Sequence, residues 1–427
     1  MSYEKVSKYI ILGAGPSGLA FAATLKRNGE DDFIIIDKED SVGGLCRSIE
    51  VDGSPLDIGG GHFLDVNNKK VTDFLFSFHC KKEWNKFSRI SKIETKYGVI
   101  DYPYESNIWQ FPVDIQVEYL ESISRSGSIT NKSEPKVFSN WIQWKLGDKI
   151  ANDYMLPYNK KIFSTDLDSL GTYWLHKLPN VSFKDVLRSC LDRKAFGSIP
   201  AHASFYYPKN GGYGVVWEKI GDYLKDNLFL NTSLQSLDIN KLVVNNKFKA
   251  KYIINTIPWR EVSKVSKISS DIDREIKTLT YSGIDVDYIA NNEQSNAHWV
   301  YVPDENTTYH RKLIRSNFME NASGYWTETN SKRSIHNKEN AKRFSNKYAY
   351  PINTINKPKS IRMILDYFSC NNIYGLVKKV FLSCVCLCKK VVSLPAFESV
   401  AKASSTYLSI RFKRIFCNNE VFYHDNF

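Results

Sequence analysis

Gly13, Gly15 and Gly18 stand in the spacing G-x-G-x-x-G, directly after the apolar run Tyr9-Ile-Ile-Leu12 and at the start of a helical stretch that opens at Ser17. Residues of that type at that spacing can cradle a pyrophosphate. Gly13 permits a tight turn, Gly15 lets the backbone come close to the phosphates, and Gly18 lets the helix pack against the strand. The helix, Ser17 to about Arg27, then aims its free N–H groups and its dipole at the anion. A second apolar run, Phe33-Ile-Ile-Ile36, ends in Asp37 and Lys38. An acid at this distance from the turn suits ribose hydroxyls. A lone glycine motif carries little weight. The strand before it, the helix after it and the acid beyond make this one a dinucleotide site.

Two more glycine clusters refine the cofactor. Gly43, Gly44, Leu45 and Arg47 lie just past the ribose-binding strand and suit a second approach to the pyrophosphate, which an NAD-only enzyme does not need. Further on, Gly59, Gly60 and Gly61 leave room for a flat ring against the backbone, with His62 beside that ring. A loop histidine bonded to backbone is the structural alternative for His62. Together the three clusters favour FAD over NAD.

These residues need a doubly wound α/β domain to position them, with a second domain over the ring. At 427 residues the chain is long enough for both. The first part of the FAD-binding domain is expected at 1–106, and a mainly helical substrate region at 107–205. The FAD-binding domain resumes at 206–270, and an antiparallel sheet of the α+β substrate domain follows at 271–347. The chain returns to the first domain at 348–376 and ends in an atypical basic, Cys-rich tail, 377–427. Periodicity predicts a helix over Val71–Phe78 and two helices joined by a polar linker, Ser128–Pro135. A turn at Pro157-Tyr158-Asn159 should break the second of these. Residues 172–200 read as irregular. Strands are expected at Phe229–Leu237, Leu242–Phe248 and Lys251–Ile257, with a polar loop at 331–347. A tight aromatic turn at Tyr348–Pro351 and an amphipathic helix at Lys357–Phe368 complete the reading.

The formal net charge of +12 admits nucleic acid, an anionic membrane surface or a phosphorylated substrate. No zinc-finger spacing or RNP-like run is present, so no nucleic-acid partner is expected. The sequence enters its first strand without a separate signal region, and no run of about 20 apolar residues occurs. A cytoplasmic protein with reduced thiols is therefore expected. The Cys384-x-Cys386-x-Cys388 run lacks a matching His or Cys cluster, so no metal site is expected.

Further motifs follow in order along the chain: Gly60-Gly-His62, Pro157-Tyr-Asn-Lys-Lys161, Trp299-Val-Tyr-Val-Pro303, Tyr309-His-Arg311 with Ser316-Asn-Phe318, and Tyr348-Ala-Tyr-Pro351. This series resembles that of the UDP-galactopyranose mutases, the eukaryotic-type branch more than the bacterial one. More broadly it resembles the FAD-dependent amine oxidase and protoporphyrinogen oxidase superfamily. The resemblance spans about residues 6–375. It implies interconversion of the pyranose and furanose forms of a UDP-sugar through a reduced-flavin N5 adduct, in surface-polysaccharide synthesis, with NAD(P)H as an external reductant. It also implies roles. His62 would hold the geometry at the flavin, Arg311 would clamp the diphosphate, and Tyr350 would donate to the same phosphates. Tyr158, Asn159, Lys161, Trp299, Tyr301 and Tyr348 would complete the substrate site. Sheet packing remains the alternative for Trp299 and Tyr301, and a surface ion pair for Arg311.

The sequence departs from the family twice. Leu156 stands where the mutases carry a second diphosphate-binding arginine, with Lys161 or Arg260 as candidate replacements. After Gly375 the family continues with a glycine–arginine segment over the flavin, whereas residues 377–427 contain no glycine. An oxidoreductase of the amine oxidase type and a flavin-poor scaffold therefore stand beside the mutase reading. The tail reads as a divergent end, a helical cap, or a basic anchor giving peripheral contact at the inner face of a membrane.

Overall fold

The computed structural model describes residues 3–175, 182–197, 203–291, 293–335 and 342–375. The segment 377–427, with all three readings of it, lies outside the described residues.

The apolar runs near the N-terminus form the centre of a seven-stranded sheet. Its strands lie in the order Leu228–Phe229, Phe33–Ile36, Lys5–Leu12, Phe248–Asn255, Val243–Val244, Leu237–Asp238, with Ile373–Gly375 also paired to Phe248–Asn255. The central pairings are parallel, so both faces must be covered. Alternation does this with period two. Tyr9, Ile11, Phe33 and Ile35 pack with the helix Pro16–Arg27 on one side. Ile10, Leu12, Ile34 and Ile36 pack with Ile272 and Ile276 of the helix Ser270–Thr278 and Ile364 and Phe368 of the helix Lys357–Ser369 on the other.

A second seven-stranded sheet runs Lys342–Pro351, Tyr281–Ile289, Tyr325–Asn330, Arg311–Ile314, Trp299–Tyr301, Ser91–Thr95, Gly98–Asp101. It is antiparallel except where Trp299–Tyr301 meets Ser91–Thr95. Helices Val113–Ser124, Phe138–Ile150 and Leu156–Phe163 accompany it.

Several sequence expectations need correction. The Pro157 segment is not a helix-breaking turn. A π-helical turn, Ala151–Met155, runs directly into the helix Leu156–Phe163, and the backbone stays helical through Pro157. Tyr348–Pro351 is not a turn either. It ends the strand Lys342–Pro351, whose polar composition reads as loop because it forms a sheet edge. Residues 172–200 include the helix Phe183–Asp192, opened by a capping box between Ser182 and Asp185. The strand expected over Phe229–Leu237 survives only at its ends, because Asn231 takes φ +52° and turns the chain. Asn245 and Asn246, both at positive φ, likewise stop the strand expected over Leu242–Phe248 at Val244. The helix predicted over Val71–Phe78 lies two residues earlier, at Lys69–Phe76, with Asn68 as its cap.

Candidate functional site

The first glycine turn has the geometry its sequence implies. Gly13 takes φ +106°, and a Cβ there would lie 2.5 Å from Thr256 Oγ1. A Cβ on Gly18 would lie 2.0 Å from the Gly13 carbonyl oxygen, so helix and strand touch. Gly15 differs. Its φ is an ordinary −75°, and a Cβ there would meet nothing closer than Gly44 Cα at 4.0 Å. The fold itself does not require glycine at 15, so the residue keeps open a gap between the two glycine turns. Ser17 lies in the first turn of the helix Pro16–Arg27, whose N-terminus has no side-chain cap and no acidic residue. These bare N–H groups beside an open gap suit a pyrophosphate.

The second turn is tied to the first by a hydrogen bond from Gly43 N–H to the Ala14 carbonyl at 2.9 Å. Arg47 donates to the Gly44 carbonyl at 3.1 Å, to Ser41 Oγ at 3.0 Å and to Glu39 at 3.4 Å, which shapes the turn from below. Asp37 accepts from Ala14 N–H at 2.6 Å and from Glu39 N–H at 3.0 Å. Lys38 is exposed and pairs with Glu39. The Leu45 carbonyl lies 2.0 Å from where a Gly59 Cβ would stand.

The third cluster has a different reason for its glycines than ring clearance alone. Cβ atoms on Gly60 and Gly61 would lie 2.6 Å from Glu328 Oε1 and 2.1 Å from Leu313. Their Cβ sides are therefore closed by the second sheet. His62 Nδ1 lies 2.9 Å from the Gly60 carbonyl, and its ring stacks near Tyr213. Beneath the loop, Asp57 accepts from Tyr207 OH and from Tyr213 N–H, each at 3.1 Å, and from Ser48 Oγ. Burial pushes its carboxyl up to about 7 against these donors.

Where the glycine loop meets the second sheet, a buried ionic cluster forms. Arg311 and Glu328 oppose each other on adjacent strands. Glu328 Oε2 accepts from Arg311 Nε at 3.0 Å, Arg311 Nη2 at 2.6 Å and Tyr350 OH at 3.0 Å, while Oε1 accepts from Gly61 N–H at 3.1 Å. Burial alone would raise the Glu328 carboxyl. The Arg311 guanidinium, with His310 and the Gly61 N–H, outweighs it and holds the group well below the usual carboxylate range. Arg311 is thus not a surface ion pair. Its Nη1 makes no hydrogen bond among the described residues, which leaves one edge of the fork for a ligand.

An aromatic cleft of about 50 Å³ adjoins the cluster, lined in part by Tyr158, Asn159, Tyr301, Tyr102, Trp141 and Glu105. Trp299 Nε1–H donates to Tyr301 OH at 2.7 Å. Arg89 also donates to Tyr301 OH, at 2.6 Å, and its guanidinium lies between the Trp299 and Tyr102 rings. Both Trp299 and Tyr301 are fully packed in the sheet. Burial raises the Glu105 carboxyl to about 7, opposed by its own backbone N–H and by Lys145.

Two expected substrate residues lie elsewhere. Lys161 is fully buried and donates to the carbonyls of Val302 at 2.8 Å and Asp304 at 2.7 Å and to Thr307 Oγ1 at 2.9 Å. All three ammonium donors are used, so Lys161 braces the loop after Trp299–Tyr301 and cannot replace the missing arginine. Tyr348 donates to Glu261, away from Glu328. A register shift in the pairing of Lys342–Pro351 with Tyr281–Ile289 separates it from Tyr350. Arg260, the other candidate replacement, is half-buried and donates to the Lys277 carbonyl at 3.4 Å. Among the described residues no group of His, Cys, Asp and Glu could hold a metal ion, and no helix is long and apolar enough to cross a membrane.

Comparison with solved structures places this geometry. A crystal structure of reduced UDP-galactopyranose mutase superposes with a TM-score of 0.81 over 92% of this chain and 95% of that one, at 21% identity. The chain has the UDP-galactopyranose mutase fold. A protein of Exiguobacterium sp. 255-15 assigned as a protoporphyrinogen oxidase follows at TM-score 0.66 and 15% identity, covering 90% of this chain and 98% of that one. The NAD(P)-binding Rossmann-like domain family matches residues 11–78. An uncharacterised protein encoded in the nifH2 3′ region of Methanothermococcus thermolithotrophicus is 37% identical over 71 residues, 17% of this chain and 68% of its own length. Over that stretch the two belong to one family. The mutase fold thus holds over 92% of the chain at 21% identity.

Glu328, Glu105, Asp57 and Arg89 were missed in the sequence. Glu328 shares the strand face of the buried Trp326 two residues before it, but nothing in Trp326-Thr-Glu-Thr-Asn330 names the arginine that makes a glutamate tolerable there. Asp57 had a signal, since it lies directly before the glycine loop. Arg89 and Glu105 had none beyond the aromatic residues around them.

Proposed function

We propose that the chain is an FAD-dependent enzyme that interconverts the pyranose and furanose forms of a UDP-sugar for surface-polysaccharide synthesis. The observation that carries this is the junction of the Gly60-Gly61-His62 loop with the Arg311–Glu328–Tyr350 cluster, beside an aromatic cleft. Glycine at 15, which packing within the fold does not require, supports a dinucleotide between the two glycine turns. Gly13, Gly15, Gly18, Gly43, Gly44 and Asp37 would hold that dinucleotide, with His62 at the ring. Bound and reduced, a flavin supplies a nucleophile for the anomeric carbon of a sugar. The chain's own part is positioning. Arg311, fixed by Glu328, offers Nη1 to a phosphate oxygen in the orientation the ion pair imposes. Tyr350 is held at the same carboxylate, and Tyr158 and Asn159 line the small cleft beside it.

One observation favours a second reading, an oxidoreductase of the amine oxidase type. Position 156 is leucine, Lys161 is committed to backbone carbonyls, and Glu328 already neutralises Arg311. That leaves little cationic charge for a diphosphate.

The test starts from the colour of the purified protein. A yellow protein reduced by NAD(P)H under argon should convert UDP-galactopyranose to the furanose form. Failure of that conversion, together with peroxide release on amines in air, would overturn the mutase reading in favour of the oxidoreductase. A colourless protein that cannot be loaded with FAD would overturn both.

A further inference from the structure

A run of tyrosines leads from the candidate site through the helical region to the surface. Its inner end is Tyr158, whose ring meets Tyr301 edge-on at 5.4 Å between centres and lies within the field of Arg311 and Glu328. Tyr154 stacks on Tyr158 at 5.5 Å, and Tyr104 stacks on Tyr154 at 4.9 Å with 10° between ring planes. The Tyr104 and Tyr119 hydroxyls share a hydrogen bond of 2.6 Å. Tyr119 OH also approaches Asp153, donating to Oδ2 at 2.8 Å. Asp153 accepts in turn from Lys96 at 2.8 Å, and the lysine is exposed.

Phenylalanine would fill the same space in these stacks. Phenols add two things: rings that can give up an electron, and, at Tyr119, an O–H aimed at a carboxylate. Tyr154 and Tyr158 donate to no carboxylate among the described residues. The outermost tyrosine therefore has the acceptor that the inner two lack. An oxidised phenol is a strong acid, so an electron vacancy settles where its proton can leave.

We infer that Tyr158, Tyr154, Tyr104 and Tyr119 form an outlet for one-electron oxidising equivalents from the candidate site, with Asp153 as the proton acceptor at its outer end. The inference rests on the reading that a flavin works in that site. The oxidant is of the class such a cofactor generates: its light-excited oxidised form, or an oxidant formed when its reduced form meets dioxygen. That oxidant takes one electron from Tyr158 and is reduced by one electron. Each tyrosine then gives an electron to its inner neighbour until the vacancy reaches Tyr119. The Tyr119 O–H bond breaks, its proton passes to Asp153 Oδ2, and a neutral phenoxyl radical remains. A thiol or ascorbate at the surface returns the electron, and Asp153 returns the proton.

Blue-light excitation of the flavin-loaded protein under argon tests this, read by transient absorption and by electron paramagnetic resonance of freeze-trapped samples. A neutral tyrosyl radical is expected. Tyr119→Phe should lose most of that signal while retaining the flavin, Asp153→Asn should prevent its deprotonation, and Tyr206→Phe, outside the run, should leave it unchanged. Wild-type radical yield and lifetime in Tyr119→Phe would overturn the outlet, and where that variant does not fold, the same result in Asp153→Asn would do so. A protein without flavin would refute the cofactor reading and not the route. The route is then tested in the same chain by azide-radical oxidation of tryptophan, since Trp141 and Trp174 line the cleft with Tyr154 and Tyr158. The phenoxyl radical that persists after the indole is oxidised should be lost or sharply shortened in Tyr119→Phe, and an unchanged yield and lifetime there would overturn the outlet.

Discussion

Two N–H groups of Arg311, on Nε and Nη2, converge on a single oxygen of Glu328 at 3.0 and 2.6 Å, and leave the other oxygen for the Gly61 N–H. One ion pair thus fixes both the guanidinium and the glycine loop. Glu328 has no exposure and Arg311 has 6%, so either charge left alone would be buried without compensation. Arg311→Ala should lower stability by about 3–5 kcal/mol, as breaking buried pairs does. Glu328→Gln should also destabilise, and the double variant should lose less than the sum of the two. The pH sign follows from the depressed carboxyl. Its contribution is present above the ordinary carboxylate range and is lost as pH falls through and below it. Urea midpoints at neutral and acid pH for the four proteins check this. Additive losses would mean that the pair is not coupled.

Gly15 and Gly18 should separate cofactor binding from folding. Alanine at 18 would place Cβ 2.0 Å from the Gly13 oxygen, so Gly18→Ala should damage the fold and the flavin content together. Alanine at 15 meets only Gly44 Cα at 4.0 Å. Gly15→Ala should change stability by about 1 kcal/mol or less, the usual effect of alanine at an N-cap. Gly15→Val, with its larger side chain in the phosphate gap, should purify folded and colourless. Full yellow colour in Gly15→Val would remove this turn from the cofactor site.

These contrasts also show what the sequence could reveal. The first glycine turn was legible because strand, turn and helix are contiguous and Gly18 answers to the Gly13 carbonyl five residues away, although Gly13 itself meets the distant Thr256. The Arg311–Glu328 pair was only half legible. Arg311 belongs to a motif, but its partner is chosen by strand register, which no spacing in the chain records. Tyr348 and Tyr350 look equivalent at a separation of two, and a register shift sends one to Glu261 and the other to Glu328. Lys161 is the same lesson in a helix. Its partners are the carbonyls of residues 302 and 304, which become acceptors only once the loop after Tyr301 is placed.

Lys161 gives the next test. Lys161→Met removes three donors from buried acceptors while keeping an aliphatic stem. The loss should exceed about 1.5–3 kcal/mol, the range for a single hydrogen bond to a charged group. Affinity for UDP, measured by calorimetry on the folded variant, should be unchanged. Weakened UDP binding at full stability would return Lys161 to the substrate site.

Glu105 should make stability fall as pH rises, where the paired Glu328 makes it rise. It is 5% exposed, and burial raises its carboxyl from 4.5 to about 7. The neutral form is therefore the one the fold accepts. Its contribution is complete below pH 4.5 and is lost as pH rises through about 7. Glu105→Gln keeps the shape and removes the titration. The variant should gain on the wild type by up to about 3 kcal/mol between pH 5 and pH 8, from about 1.36 kcal/mol per pKa unit. Asp57 is also raised to about 7. It titrates alike in both proteins, so the difference between them isolates Glu105. Because Glu105 lines the same cleft as Tyr158 and Asn159, a ligand that donates to its carboxylate should bind more tightly to the wild type above pH 7 than below it. A stability gap between the two proteins that stays constant from pH 5 to pH 8 would show that Glu105 is ionised throughout, with Lys145 compensating its charge.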